Sequence, residues 1–216
     1  MVVYLNHASW WDPLVGLLLA RTHLPQLSSY VPIDAAMLER YRFFRKLGCF
    51  GVERGTLRGG RNFLRTADRI LARRDSLLWI TPQGRFADVR ERPLQLEEGV
   101  GVLASRHPDA AFVPLALEYV FWSEPRPEIL VSFGQPLLPM DRPAQSGKSW
   151  TQHFAATLGV EQERLAQASM RRDPSEWVTM NRGRAGIQFF YDLWRRIGAL
   201  VRGKTYVPGH VEEKKP

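Results

Sequence analysis

The sequence predicts an α/β fold in which a mixed, largely parallel sheet is flanked by helices and followed by a helical C-terminal tail. Short runs with the length of buried strands alternate with helical patterns over the first 143 residues. This alternation is typical of the strand–helix–strand units that build parallel sheets. Beyond Pro143 no strand pattern follows, and the remaining apolar residues are spaced as in helices.

Six segments have the pattern of strands. Each is a short run bounded by turn-forming residues, and most are rich in apolar side chains. The first of them is a short, continuous apolar run, which is typical of a buried strand. The predicted strands are residues 2–5, 27–31, 50–53, 77–81, 111–117 and 129–133.

Helices are predicted from apolar side chains that recur with the helical period. Asp12-Pro13 opens the first helix, where proline tolerates its missing N–H. Phe63, Ala67 and Ile70 mark one face of the helix that starts at residue 57. Besides the helix that starts at residue 57, the predicted helices are residues 12–21, 35–46, 98–106, 150–170 and 185–202.

We therefore expect one α/β domain over residues 1–143 and a helical C-terminal extension over residues 144–216. The predicted helix 185–202 is amphipathic, and Arg195 and Arg196 flank its aromatic face. Such a face most often packs in a core. Aromatic side chains beside arginines are also typical of helices that lie in a membrane interface, and this is the alternative.

Composition limits the class of protein. Hydrophobic residues make up 44% of the 216 residues, which is ample for a packed core. Cys49 is the single cysteine and cannot form an internal disulfide. Neither a signal peptide nor a membrane span is visible, so we expect a cytoplasmic location. Because no metal-binding pattern occurs, we expect no metal ion.

The net charge of +8 is concentrated in one segment. Residues 39–74 hold eleven Lys or Arg and three Asp or Glu. A segment with this excess of positive charge attracts the phosphates of a coenzyme, a lysolipid or an anionic bilayer. No DNA- or RNA-binding motif accompanies it, so no nucleic-acid partner is expected. Arginines spaced four apart from Arg61 to Arg73 are interpreted as a solvated helix face, with a membrane role as the alternative.

A candidate acid/base pair stands where the first strand gives way to the first helix. His7 and Asp12 are five positions apart. A carboxylate can fix the tautomer of an imidazole and stabilise the imidazolium that forms when the ring accepts a proton. Asp12 also has a structural interpretation, because Asp before Pro can cap a helix and because Ser9 and Asp12 have the spacing of a capping box.

Two further turns have residues that suit an anion. Arg54 directly follows the third predicted strand, and a guanidinium matches the geometry of phosphate. The turn Pro82-Gln83-Gly84 follows the fourth predicted strand and would expose backbone N–H groups beside Arg85. An oxyanion or a phosphate is the expected ligand of such a turn.

The order and spacing of these motifs resemble the glycerolipid acyltransferases of the lysophosphatidic acid acyltransferase type. The resemblance covers residues 2 to about 138, and the four sequence blocks of that family occur in the same order. The first block, Asn-His-x-x-x-x-Asp, is the most specific. The matching residues are Asn6, His7 and Asp12 in the first block, Gly48 and Arg54 in the second, Pro82, Gly84 and, one place early, Arg85 in the third, and Val113 and Pro114 in the fourth.

The resemblance implies an O-acyltransferase of lipid metabolism, in particular of phospholipid biosynthesis. It would move a fatty acyl group from acyl-CoA or acyl carrier protein to a hydroxyl of a lysophospholipid or a related lipid acceptor, without a cofactor. His7 would be the general base, and Asp12 would orient it. The enzyme would be peripheral on the cytoplasmic face of the membrane. The implied substrate-binding residues are Asn6, Arg54, Pro82, Gln83, Gly84 and Arg85.

Two departures from the family pattern concern the acceptor. Gln83 replaces the usual glutamate, and Glu97 and Glu98 stand where relatives commonly carry basic residues. The domain is also expected to lack the helical or membrane-anchoring segment that usually precedes the first block. Two alternative functions stay open. One is a noncatalytic domain that binds anionic membranes, and the other is an acyl-thioester hydrolase in which water replaces the acceptor.

Overall fold

Strands and helices alternate along the chain in the computed structural model, which describes residues 1–122 and 127–181. The strands are β1 (Val2–Leu5), β2 (Ser28–Asp34), β3 (Cys49–Val52), β4 (Ser76–Ile80), β5 (Phe112–Val120) and β6 (Glu128–Phe133). The α-helices are α1 (Asp12–His23), α2 (Ala35–Arg40), α3 (Leu57–Leu71), α4 (Gly99–Arg106) and α5 (Gly147–Arg171). Short 3₁₀ helices cover Arg42–Leu47, Pro139–Asp141 and Pro174–Glu176.

The strands form one sheet in the order β3-β2-β4-β1-β5-β6. β1 lies between β4 and β5 and is parallel to both, and β2 is parallel to β3 and β4. An antiparallel bridge joins Phe112 of β5 to Leu137, beyond β6. The predicted α/β fold with a mixed, largely parallel sheet, flanked by helices and followed by a C-terminal helix, is confirmed.

Helices cover both faces of the sheet, so β1 contributes to two cores. Successive side chains of a strand point to opposite faces. Val3 and Leu5 lie in a core with buried residues of α1. Val2 and Tyr4 lie in the other core with buried residues of α3, α4 and α5. The continuous apolar run of β1 is therefore explained by burial on both sides.

The parallel strands bring the predicted site residues to one edge of the sheet. Parallel strands have their carboxyl ends at the same edge, which is where ligands bind in open α/β sheets. The loop with His7 follows β1, the turn with Gln83 follows β4, and Arg54 follows β3. Since β1 and β4 are neighbours, the first two loops lie next to each other.

One predicted helix is interrupted in the structure. The pattern over residues 35–46 predicted a single helix, but α2 ends at Arg40 and a 3₁₀ helix begins at Arg42. Tyr41 between them has φ −123° and ψ 70°, outside the helical region. The 3₁₀ helix buries Phe44 in the core next to α1. The break in the helix at Tyr41 therefore lies next to a ring that is buried by tertiary contacts.

The chain divides into two compact units. The first unit is Met1–Leu117 with Val131–Leu165, and the second is Glu118–Leu130 with Ala166–Pro216. The predicted domain boundary between residues 143 and 144 stays a prediction. The predicted amphipathic helix 185–202 lies outside the described residues. Among the helices that the structure does describe, none combines the length and the hydropathy that a bilayer crossing requires.

Candidate active site

His7 and Asp12 contact each other at the carboxyl end of β1. His7 Nδ1 lies 2.7 Å from Asp12 Oδ2. A carboxylate accepts hydrogen bonds, so Nδ1–H donates to Oδ2 in the neutral imidazole and Nε2 is left to accept a proton. The Asp12 side chain is fully buried, whereas 17% of the His7 side chain is exposed. The pair therefore reaches solvent through the imidazole only.

Asp12 also closes the turn that carries His7. Its Oδ2 accepts the N–H of Ser9 at 3.0 Å. Asp12 is the first residue of α1, and Trp11, which occupies the N-cap position, makes no side-chain capping bond. Of the predicted capping box, the structure thus shows the hydrogen bond from the Ser9 N–H to the Asp12 carboxylate. The catalytic and structural interpretations of Asp12 are compatible, because the same oxygen serves both His7 and Ser9.

The backbone of His7 is held by residues that follow β4. The His7 N–H donates to Gln83 Oε1 at 2.7 Å, and the Gln83 side chain is almost completely buried. The His7 carbonyl accepts the N–H of Ala87 at 2.8 Å. The ring of Phe86 lies against the imidazole, with 4.3 Å between the ring centroids. Gln83 therefore positions His7, whatever ligand the site binds.

Sequence reasoning assigned no role to Phe86 or Ala87. Phe86 packs on the imidazole and shields one side of it, although the ring itself is half exposed. Ala87 acts through its backbone N–H, and a backbone contact leaves no signal in the type of side chain. The available signal was the position of both residues directly after the Pro82-Gln83-Gly84 turn.

Asn6 connects β1 to β5 directly before His7. Its Nδ2 donates to the carbonyl of Leu117 at 2.9 Å, and its Oδ1 accepts the N–H of Leu117 at 2.8 Å. The residue is buried. The amide therefore continues the pairing of the two parallel strands and anchors the point from which the His7 turn departs. A direct contact between Asn6 and a substrate stays a prediction.

The turn after β4 uses its own backbone groups. Gly84 N–H donates to Thr81 O at 3.1 Å, and Pro82 O accepts the N–H of Glu97 at 2.7 Å. Gly84 has φ +65°, and a Cβ at this position would lie 3.1 Å from Glu97 Cγ. Both features favour glycine. The Gly84 N–H is thus committed inside the turn and is not the exposed donor that the sequence predicted.

The two predicted anion-binding arginines differ in their surroundings. Arg85 pairs with Glu91, and the hydrogen bond to this carboxylate raises the pKa of Arg85. Arg54 is exposed and pairs with no carboxylate among the described residues. β2 and β4 separate β3 from β1. At about 4.8 Å per strand, the turns of Arg54 and His7 are roughly 14 Å apart along the sheet edge. Arg85 belongs to the segment that contacts His7 through Gln83 and Phe86.

A pocket of about 300 Å³ adjoins the turn after β4. Residues 83–85 and 95–98 line it. Gln83 connects the pocket to the candidate pair, because its side chain also accepts the His7 N–H. The pocket combines the Arg85 guanidinium with the exposed carboxyl groups of Glu97 and Glu98. It therefore offers amide, cationic and anionic groups to the polar head of a ligand.

Other chemistry-bearing residues lie outside this site. Cys49 of β3 is buried, and burial raises the pKa of its thiol to about 11. A thiol with this pKa is almost entirely protonated near neutral pH and is a poor nucleophile. Within residues 1–122 and 127–181, no group of three or more His, Cys, Asp and Glu is arranged to hold a metal ion.

Comparison with known protein families places the chain in one of them. The family model described as Acyltransferase matches residues 1–118, more than half of the chain. The chain belongs to the acyltransferase family. It is therefore a transferase enzyme. The matched residues include His7, Asp12 and the turn after β4. No curated protein matches the chain.

Proposed function

We propose that this acyltransferase transfers a fatty acyl group from acyl-CoA or acyl carrier protein to a hydroxyl of a lysophospholipid or a related lipid, as enzymes of the lysophosphatidic acid acyltransferase type do. The observation that carries the proposal is the 2.7 Å contact between His7 Nδ1 and the buried Asp12 Oδ2. This contact leaves Nε2 of a partly exposed imidazole as the base for an alcohol.

In the proposed reaction, His7 Nε2 takes the proton of the acceptor hydroxyl while the oxygen attacks the thioester carbonyl carbon. Asp12 stabilises the imidazolium that forms, as the carboxylate of a catalytic triad does. The tetrahedral intermediate then collapses and the C–S bond breaks. The imidazolium returns its proton to the leaving sulfur, so the products are an ester and a free thiol. The thioester co-substrate supplies the acyl group, and the reaction needs no further cofactor.

The residues that line the pocket beside Gln83 are evidence that the acceptor has a polar headgroup. Arg85 lines this pocket and can donate to a phosphate oxygen, whereas Arg54 is a separate exposed cation at the same sheet edge. Glu91 already shares the charge of Arg85, and Glu97 and Glu98 add negative charge. Because these carboxylates repel anions, we expect acceptors with a phosphodiester or a hydroxylated head to react faster than lysophosphatidic acid, whose terminal phosphate carries more charge.

The test is acyl transfer with labelled acyl-CoA and acyl carrier protein as donors and a panel of lysophospholipids and glycolipids as acceptors. His7→Ala should lower the rate by at least roughly 10²-fold, because a general base typically contributes 10²- to 10⁴-fold. Asp12→Asn should also lower it strongly, since the amide cannot stabilise an imidazolium as a carboxylate does. His23→Ala is the matched control, because His23 is an exposed histidine at the end of α1.

Two results would contradict acyl transfer. A His7→Ala variant with wild-type turnover would remove His7 from the mechanism. Thiol release that occurs without any acceptor, and that acceptors do not accelerate, would identify an acyl-thioester hydrolase instead. The partial exposure of the imidazole favours this second candidate, because it gives water access to the proposed base.

A further inference from the structure

Aromatic side chains are exposed on two segments close to the His7–Asp12 pair. Trp10 and Trp11 stand between His7 and Asp12 in the chain and are 49% and 57% exposed. Phe43, on the 3₁₀ helix Arg42–Leu47, is 54% exposed. Folding normally buries large rings, so several exposed rings in neighbouring segments mark an interaction surface.

Ring contacts join the two segments into one surface. Trp10 packs edge-on against Trp11, with 5.7 Å between ring centroids, and against Phe44, at 6.4 Å. Phe44 is buried and stacks with Phe43 at 4.2 Å. Tyr41 also contacts Phe44 edge-on. The buried ring of Phe44 thus holds the exposed rings in place, so they do not need a ligand to order them.

Basic residues flank these rings in the chain. Arg40, Arg42, Arg45 and Lys46 are exposed, and Arg40 lies over the ring of Tyr41 at 5.3 Å. Glu39 is the acidic residue of this segment, and it pairs with Arg42 and Arg45. Four positive charges against one negative charge leave the surface cationic.

We propose that this aromatic–basic surface, formed by Trp10, Trp11, Tyr41 and Phe43 with Arg40, Arg42, Arg45 and Lys46, docks on an anionic lipid bilayer. Its charge is complementary to that of anionic lipids. Trp and Tyr with flanking Arg and Lys are the side chains that favour the interface between lipid headgroups and acyl chains. Since Trp10 and Trp11 belong to the loop of the His7–Asp12 pair, docking brings this loop to the membrane.

The purpose of docking rests on the proposed transfer to a lipid acceptor, whereas docking itself is measured without an acyl donor.

The structure favours a bilayer over a second protein for a chemical reason. The basic side chains are long and exposed, and they are interspersed with the aromatic residues along the chain. A fluid array of anionic headgroups can adapt to such an arrangement.

The test is sedimentation of the full chain with vesicles of phosphatidylcholine alone or mixed with phosphatidylglycerol. We expect binding to the mixed vesicles that weakens with added salt, and a blue shift of tryptophan fluorescence. The double variant Trp11→Ser/Phe43→Ser should lower the partition coefficient by roughly tenfold or more, because it removes two rings from the interface. Serine is favoured at the N-cap position of Trp11, which protects the fold of α1.

Matched variants separate this surface from other exposed groups. Arg40→Gln/Lys46→Gln should weaken binding roughly tenfold, whereas Arg61→Gln/Arg65→Gln, on the exposed arginine row of α3, should not. Val160→Ser replaces an apolar residue of α5 that is even more exposed, and this variant should bind as wild type does. His7→Ala should also bind as wild type does, so failure of acyl transfer and failure of docking are distinguishable.

Three results would overturn the inference. The first is wild-type binding by Trp11→Ser/Phe43→Ser at an unchanged unfolding midpoint. The second is a loss of binding on substitution of the α3 arginines but not of Arg40 and Lys46. The third is a concentration-dependent dimer that Trp11→Ser/Phe43→Ser dissociates while vesicles capture no protein, because this result would assign the surface to a second copy of the chain.

Discussion

At the scale of single residues, Gln83 shows how a side chain supports a candidate base without touching the reacting atoms. Its Oε1 accepts the N–H of His7, and the residue is buried. Glutamate, which the family pattern has at this position, carries an oxygen at the same place in the side chain. The replacement therefore keeps an acceptor for His7 and changes the chemistry of the other terminal atom, which becomes an amide nitrogen.

Replacing Gln83 should separate positioning from binding. Gln83→Leu removes the acceptor and leaves the His7 N–H buried without a partner, which costs about 1–3 kcal/mol in the free energy of unfolding. We expect kcat to fall by about tenfold while KM for the acyl donor changes little. Gln83→Glu should largely restore kcat. The measurements are steady-state kinetics and denaturant unfolding.

The control for Gln83→Leu is Gln152→Leu, which changes an exposed glutamine of α5. This control should leave both kcat and stability close to wild type. A Gln83→Leu enzyme with wild-type kcat would contradict the positioning role. An unchanged kcat with a raised KM for the acceptor would instead make Gln83 a substrate-binding residue, as the sequence predicted.

At the scale of elements, the structure depends on a close approach of α4 and α5. A Cβ on Gly101 of α4 would lie 1.9 Å from the carbonyl oxygen of Gly147 and 2.4 Å from Thr151 Oγ1. Both atoms belong to the first turns of α5. No side chain fits at Gly101 unless the two helices separate, so glycine is required there by packing.

Gly101→Ala should therefore destabilise the protein, whereas alanine normally stabilises a helix relative to glycine. We expect a loss of about 1–3 kcal/mol in the free energy of unfolding, the usual cost of overpacking. Gly60→Ala is the matched control on α3, because a Cβ at Gly60 meets no atom within 4 Å. It should raise stability by about 0.5–1 kcal/mol. Denaturant unfolding of both variants measures the difference, and equal stabilities would contradict the packing argument.

At the scale of the whole molecule, we expect stability to depend on pH through a partly buried histidine of α5. His153 lies against the rings of Trp150 and Phe154, and its Nε2 is buried without a hydrogen-bond partner among the described residues. Burial, and to a lesser extent the charge of Arg142, lower the pKa of His153 from its ordinary value of 6.5. Protonation of this ring is therefore less favourable in the folded than in the unfolded chain.

The sign of the pH effect follows from this lowered pKa. Below about pH 6.5 the unfolded chain binds the proton more readily, so His153 makes the folded protein less stable as the pH falls toward its folded pKa. We expect His153→Gln to lose less unfolding free energy than wild type between about pH 7.5 and about pH 5. The control removes a histidine elsewhere, at the exposed His23, and its curve is compared with those of wild type and His153→Gln. Parallel curves for wild type and His153→Gln would contradict this assignment.

The sequence by itself determined the parts of the protein that depend on neighbouring residues. The first apolar strand and the turn after it bring His7 and Asp12 together within five positions, and the structure places their side chains in contact. Strands and helices were predictable for the same reason, because the spacing of apolar side chains reflects which face is buried. The helix predicted over residues 35–46 was wrong at Tyr41, next to the point where Phe44 enters a core built from distant segments.

Only the tertiary structure decided which distant residues support His7. Gln83, Ala87 and Phe86 reach it because β1 and β4 are adjacent, and Asn6 reaches Leu117 because β1 and β5 are adjacent. β1 is far in the chain from both β4 and β5, and the order of these strands is set by the burial of both faces of the whole sheet. Several of these contacts use backbone atoms, which are the same in every residue type, so no local pattern of side chains reveals them.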